Sequence, residues 1–244
     1  MAKGIFIGAC DKSIHLIALA TFLTRLERKV LLVDATMTQR LGYYTGLQQK
    51  RHISILSWNG IDVMCNTANW ADMEQGLERH GGDLSLYDDV IIDTDRSAFG
   101  NAKQWRAADI RFMTHTLERY ALYRNIEWLQ AVQLHDNGEP LEFISLQLRS
   151  VEPDAEAAFI AELYHSGFSH RWIREPIAIV EGEQDWAAQM GHEHEGRFEA
   201  ASYMRSTKKA WRALTECFTG QLPDKVWRRC LKTGKKGRIR YAAM

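Results

Sequence analysis

An open, doubly wound α/β sheet, mostly parallel with helices on both faces, is the fold class this sequence predicts, and three observations carry it. Residues 4–8, 30–34 and 87–93 contain apolar runs that do not alternate with polar residues, the mark of strands buried on both faces. Two of these runs end in an acid, Asp34 and Asp93, and the first ends in the small-residue turn Gly8-Ala9, with Lys12 and Ser13 close behind. Residues 14–26 read as a helix between the first two runs. A strand, helix and strand within about 30 residues make a right-handed βαβ unit.

The totals agree with one domain of that class. The 244 residues, 45% hydrophobic and 25% charged, can bury a large core and are too apolar for disorder. The longest apolar runs, such as 30–33, are far too short to span a bilayer. No basic segment followed by an apolar core opens the chain, so no secretion signal is expected. Four cysteines, Cys10, Cys65, Cys217 and Cys230, lack C-x-x-C spacing and point to free thiols in a reducing cytoplasm. The formal net charge of zero conceals a split. From Arg205 onward twelve Lys/Arg face two acids, Glu216 and Asp224, so that end carries roughly +10 and the remainder a matching negative excess.

The other elements follow in order. Residues 36–50 are polar, contain Gly42 and Gly46, and read as a mobile connection. Short strands are expected at 52–56 and 61–65 around the Asn59-Gly60 turn. A helix at 70–79 breaks at Gly81-Gly82, ahead of the strand ending at Asp93. A helix at 101–108, a short strand at 110–113 and a helix at 117–133 come next, closed by the turn Asp136-Asn-Gly-Glu-Pro140. A strand at 141–148, a helix at 154–164 stopping at Gly167, a last strand at 177–180 and a final helix at 202–218 complete the series. The expected division is one α/β domain over 1–220 and a basic, flexible tail over 221–244.

Three features share the carboxyl ends of the expected strands, where open α/β sheets bind ligands: the turn 8–13, Asp34 and Asp93. A strand, a small-residue turn, a Lys-Ser pair and a helix are the parts of a phosphate-binding loop, in which backbone N–H groups and the helix N-terminus receive an anion. Gly8, Ala9, Cys10, Asp11, Lys12 and Ser13 are the candidate loop. Lys12 can reach phosphate oxygens, the Ser13 hydroxyl a magnesium ion, and Asp34 and Asp93 the metal or the attacking water. The alternative is that Gly8 makes a tight turn, Lys12 is solvated and the acids cap helices. The loop departs from G-x-x-x-x-G-K-[ST], because Phe6 stands at the first glycine position and Asp11 at the second.

In this order and spacing the features resemble the deviant Walker ATPases of the ParA/MinD group. That family's loop reads K-G-G-V-G-K-[ST], and the aligned stretch here is Ile7-Gly-Ala-Cys-Asp-Lys-Ser13. Its second strand, V-L-L-V-D-x-D, appears as Val30-Leu-Leu-Val-Asp-Ala-Thr36, and its third signature, Y-D-x-V-I-I-D-T-P, as Tyr87-Asp-Asp-Val-Ile-Ile-Asp-Thr-Asp95. Residues 175–179 are similar to the family's last strand. The resemblance implies ATP or ADP with Mg2+ as cofactors, nucleotide-dependent homodimerisation, an adaptor or cargo partner, and a role in DNA (plasmid) partition or intracellular positioning. It also implies that the connection after Asp34 and the segment 94–100 are switch regions. The family's signature lysine aligns with Ile7 and its water-activating acid with Thr36, so both are lost and hydrolysis is expected to be weak or absent. Asp11 sets a carboxylate where a phosphate must approach. A non-hydrolysing scaffold or adaptor that keeps the fold for its surfaces is the alternative, and a small-molecule kinase or ligase a third reading.

The basic end supplies a second candidate site. Lys225, Arg228, Arg229, Lys232, Lys235, Lys236, Arg238 and Arg240 can neutralise phosphates without reading sequence, which predicts salt-sensitive DNA binding and a nucleoid-associated protein. An anionic membrane surface, with Trp227 and Leu231 as shallow anchors, is the rival, and a merely solvated tail the third outcome. The pair His192 and His194 reads as solvated surface rather than a metal site.

Overall fold

The computed structural model describes residues 1–46, 54–133, 139–165 and 170–232. In chain order its elements are β1 (Ala2–Ile7), α1 (Ser13–Arg25), β2 (Val30–Asp34), α2 (Leu41–Thr45), β3 (Ser54–Trp58), β4 (Ile61–Cys65), α3 (Trp70–Arg79), β5 (Asp89–Thr94) and α4 (Ala102–Arg106). There follow β6 (Ile110–His115), α5 (Arg119–Gln133), β7 (Leu141–Leu148), α6 (Pro153–His165), β8 (His170–Trp172), β9 (Ile177–Ile179), α7 (Glu183–Glu195), α8 (Arg205–Thr219) and α9 (Asp224–Cys230).

The strands form one sheet in the order β3-β4-β2-β5-β1-β6-β7-β8, with β9 also paired to β7. Among the described residues all pairings are parallel except the β3–β4 hairpin. Its turn is Asn59-Gly60, both with positive φ (51° and 84°). The unbroken apolar runs are explained by the pleat, which sends successive side chains to opposite faces. Phe6, Val30, Leu32, Ile91 and Phe112 join one core with α1, α8 and α9, whereas Ile5, Ile7, Leu31, Val33, Val90 and Ile92 join the other with α3, α4 and α5. The doubly wound reading is therefore correct.

Helix α1 is buried on most of its surface because α8 and α9 lie against it. A buried relay fixes it there: Trp211 Nε1 donates to His15 Nδ1 at 3.1 Å, and His15 Nε2 stands 3.3 Å from Glu181 Oε1. The close fit of α8 on the sheet explains Gly4, since a Cβ there would lie 2.2 Å from the Phe218 ring.

Three expectations are corrected. The connection 36–50 is not irregular throughout, because α2 forms within it; residues 47–50 lie outside the described residues. Helix α7 occupies a stretch read as solvated loop, and His192 on it is buried, accepting the Glu199 N–H on Nε2 at 3.1 Å and meeting the Tyr203 hydroxyl through Nδ1 at 3.1 Å. The flexible tail does not begin at 221. Residues 224–230 form α9, Cys230 is buried, and Trp227 packs edge-on against Phe22 with centroids 4.8 Å apart. Burying an indole contributes a few kcal/mol, enough to hold a short helix on the core.

Candidate functional site

At the carboxyl edge of the sheet, β1 sits between β5 and β6, and residues 8–12 link it to α1. Gly8 has φ +149° and lies so close to β6 that a Cβ would meet the Thr114 carbonyl oxygen at 2.2 Å. Its N–H donates to Thr94 O at 3.1 Å, so the end of β1 is clamped on both sides. From Ala9 to Lys12, and again at Ile14, the backbone N–H groups find no protein acceptor among the described residues. Such a run of open donors at the start of a helix is an anion cradle. Residue 11 is not among those with positive φ, so an aspartate there causes no backbone strain.

Two carboxylates close the cradle. Asp11 Oδ1 accepts the Ser13 N–H at 3.1 Å, while its Oδ2 receives Arg40 Nη1 at 2.7 Å. Burial opposes its charge, but the Ser13 N–H and the Arg40 guanidinium together hold the Asp11 carboxyl below the usual carboxylate range. The Lys12 ammonium is not solvated. It is buried, donates to Gly8 O at 2.7 Å and pairs with Asp93 Oδ1 at 2.6 Å. Burial alone disfavours its charge, and Asp93 reverses that, raising Lys12 above its ordinary value. Burial lifts the Asp93 carboxyl to about 7 against the pull of Lys12, with Asp34 and Asp11 adding to the rise. The Cys10 thiol is pushed up to about 11, chiefly by burial, and is an inert neutral thiol.

Asp34 ends β2 beside Asp93 in the sheet. Its Oδ1 accepts the N–H and hydroxyl of Thr36 at 3.0 and 2.6 Å, and its Oδ2 the Leu41 N–H at 2.9 Å. These contacts match the capping alternative, while Oδ2, with one donor, keeps acceptor capacity for a water. Among the described residues no three His, Cys, Asp or Glu side chains are grouped to hold a metal ion. Ser13 and Asp93, and Asp34 through water, are the protein groups that a magnesium ion bound to phosphate could meet.

The two expected switch segments are tied to each other here. Asp95, in place of the family's proline, accepts the Met37 N–H at 3.0 Å, and Arg96 Nη2 donates to Thr36 O at 3.3 Å. With residues 8–13, Thr36, Thr38, Arg40, Asp93 and Asp95 line a recess of about 50 Å3, a space of phosphate size beside the loop.

The sheet order, the loop between β1 and α1 and the acids ending β2 and β5 identify the architecture. The fold is of the ParA/MinD type. Solved structures share it over most of the chain. MinD, a cell division protein of Aquifex aeolicus, matches with a TM-score of 0.58 at 12% identity, over 91% of this chain and 99% of its own. A ParA family ATPase from Chlorobium tepidum gives 0.55 at 15% identity, over 86% and 96%. A Cyanothece McdA variant in complex with ATP gives 0.56 at 15% identity, over 91% and 99%. By sequence the chain matches no protein-family model and no curated protein. The ParA/MinD-type fold places Lys12, Ser13 and Asp93 in one cluster, as their order in the chain predicts. Arg40 is the residue that motif reasoning misses, since it lies 29 positions beyond Asp11 and belongs to no signature.

The second candidate site divides in two. Lys225, Arg228, Arg229 and Lys232 are exposed on α9 and just beyond it, whereas Lys235, Lys236, Arg238 and Arg240 lie outside the described residues. Arg205, Lys208 and Lys209 of α8 and Arg228 line a groove of about 660 Å3 whose wall is Trp227 and Leu231. Trp227 belongs to the core, so it is not a membrane anchor. Among the described residues no helix is long and apolar enough to cross a membrane.

Proposed function

We propose that this chain is a ParA/MinD-like protein of DNA (plasmid) partition or intracellular positioning, one that binds ATP or ADP with Mg2+, dimerises with nucleotide and hydrolyses it weakly or not at all. The observation that carries this reading is the loop itself. Open N–H groups, Lys12 and Ser13 stand at the start of α1, beside Asp93, on a fold that the ATP-bound McdA structure shares. In this reading the loop amides and Lys12 hold phosphate oxygens, the Ser13 hydroxyl faces the magnesium ion, and Asp93 and Asp34 face its water shell, Asp34 also shaping the first switch through Thr36 and Leu41. Weak hydrolysis follows from Thr36, which offers no carboxylate to activate water and whose hydroxyl is already committed to Asp34. The metal-bound triphosphate supplies the bond that would be cleaved; the protein groups here bind and orient.

The basic face of α8 and α9 supports a polyanion partner, and we take duplex DNA as that partner, with an anionic membrane surface as the rival. The reading puts the protein in the cytoplasm, associated with the nucleoid, and a further adaptor or cargo protein would engage the switch segments. Nucleotide-dependent dimerisation is checked by sedimentation with and without ATP and Mg2+, and turnover by phosphate release. A monomer under every condition would remove the dimer from the proposal.

One observation favours the scaffold alternative. Asp11 already occupies the Ser13 N–H, and the recess it lines is only about 50 Å3. If neither ATP nor ADP binds, the fold serves for its surfaces alone.

A further inference from the structure

The contact that closes the loop also indicates how it opens. Asp11 spans two partners, the Ser13 amide at 3.1 Å and the Arg40 guanidinium at 2.7 Å. The first is a donor at the positive end of α1, a helix of 13 residues, and the buried Lys12 ammonium stands beside it. A carboxylate oxygen there sits where a phosphate oxygen would. The second partner, Arg40, lines the same recess and lies one carboxylate away from the same amide.

Arg40 is built to change partners. Its side chain is 55% exposed, so releasing Asp11 loses little packing. Its backbone, by contrast, is held, because the next residue's N–H is bonded to the buried Asp34. A guanidinium fork matches phosphate as well as it matches carboxylate. Position 7, where the related ATPases carry a lysine, cannot provide that charge, since Ile7 is wholly buried in β1.

Resting on the nucleotide reading above, we infer that Asp11 is a built-in stand-in for the ligand's phosphate and that Arg40 is a phosphate-contacting residue. A ligand oxygen replaces the Asp11 carboxylate on the Ser13 N–H, and Arg40 passes from one anion to the other. The closed loop is then the resting state, and affinity is set by competition between an internal anion and an external one. Asp11 must swing clear with its charge, which limits the affinity that wild type can reach.

The test is a cycle of four proteins titrated calorimetrically with ATP and Mg2+: wild type, Asp11→Gly, Arg40→Gln and the double variant. Asp11→Gly is expected to bind at least tenfold tighter than wild type. The double variant is expected to bind at least tenfold more weakly than Asp11→Gly, because a phosphate contact is lost with no carboxylate left to neutralise. If Arg40 serves only to pair Asp11, Arg40→Gln will be silent in the Asp11→Gly background, and the phosphate contact is overturned. If wild type binds and Asp11→Gly binds no tighter, the stand-in is overturned while the nucleotide reading survives. If neither binds, both fail together. Asp11→Asn, which keeps the side-chain shape and removes the charge, replaces Asp11→Gly should circular dichroism show that variant to be unfolded.

Discussion

Replacing Lys12 with methionine leaves Asp93 buried without its cation, and the cost can be estimated from the geometry. At 2.6 Å and an effective dielectric near 20, the lost attraction is about 6 kcal/mol. Asp93 recovers most of that by taking up a proton: with its carboxyl at about 7 the ionised form is favoured by only about 1.4 kcal/mol at pH 8, so the expected destabilisation there, with the lost Gly8 hydrogen bond, is about 1–3 kcal/mol. The pH dependence has a definite sign. With Lys12 present, burial sets the Asp93 carboxyl to about 7, above its unfolded value, so the stability this group contributes is complete below the unfolded pKa and lost as pH rises through 7. Without Lys12 the carboxyl rises further, and the penalty therefore grows above pH 7 by about 1.4 kcal/mol per unit and shrinks toward pH 6. Urea unfolding followed by tryptophan fluorescence measures this. The double variant Lys12→Met, Asp93→Asn should recover most of the loss. A cost under about 1 kcal/mol at pH 8 for Lys12→Met, or one that grows as pH falls, would refute the buried pair.

Other consequences are as direct. Gly8→Ala forces a Cβ onto the Thr114 carbonyl oxygen at positive φ; a loss of at least about 2 kcal/mol in urea unfolding is expected, and wild-type stability would contradict the close approach. Trp227→Ala should cost about 3–5 kcal/mol and lower Tm, as removal from a core does and removal from a free tail does not. His115 is buried, with Nε2 on Ser145 Oγ at 2.9 Å, and burial pushes its imidazole down to about 3. The stability it confers is present above its unfolded pKa and lost as pH falls below 6.5, by about 2 kcal/mol at pH 5; His115→Gln should flatten that acid limb in a Tm series. Changing Lys225, Arg228, Arg229 and Lys232 together to Gln should weaken salt-sensitive retention of duplex DNA without unfolding the protein. A shallower log–log salt slope, by about 0.9 per lost contact, is the signature of the phosphate contacts, and unchanged retention would count against this surface.

Much of the fold is legible in the chain because buried parallel strands announce themselves. Val30 to Val33 and Val90 to Ile92 are apolar at every position, since each face of the sheet has its own core. What stayed hidden has physical causes. In α7, only Asp185 and His192 are buried, so no apolar stripe marks the helix; Asp185 is held instead by the Gly182 and Met204 N–H groups and the Thr207 hydroxyl. In α9, the surrounding positive charge obscures a short apolar face formed by Trp227 and Cys230. At the site, motif spacing brings Lys12, Ser13 and Asp93 together, while the capping contacts of Asp34 with Thr36 and Leu41 belong to no signature. Arg40 has no motif to betray it, and its importance arises only from Asp11, the residue that breaks the phosphate-loop pattern.

Nucleotide binding itself is tested by titrating wild type with ATP and Mg2+ beside Lys12→Gln. Saturable heat in the wild type, lost in the variant, is the expected result. No heat from wild type and none from Asp11→Gly would contradict a nucleotide site on this fold.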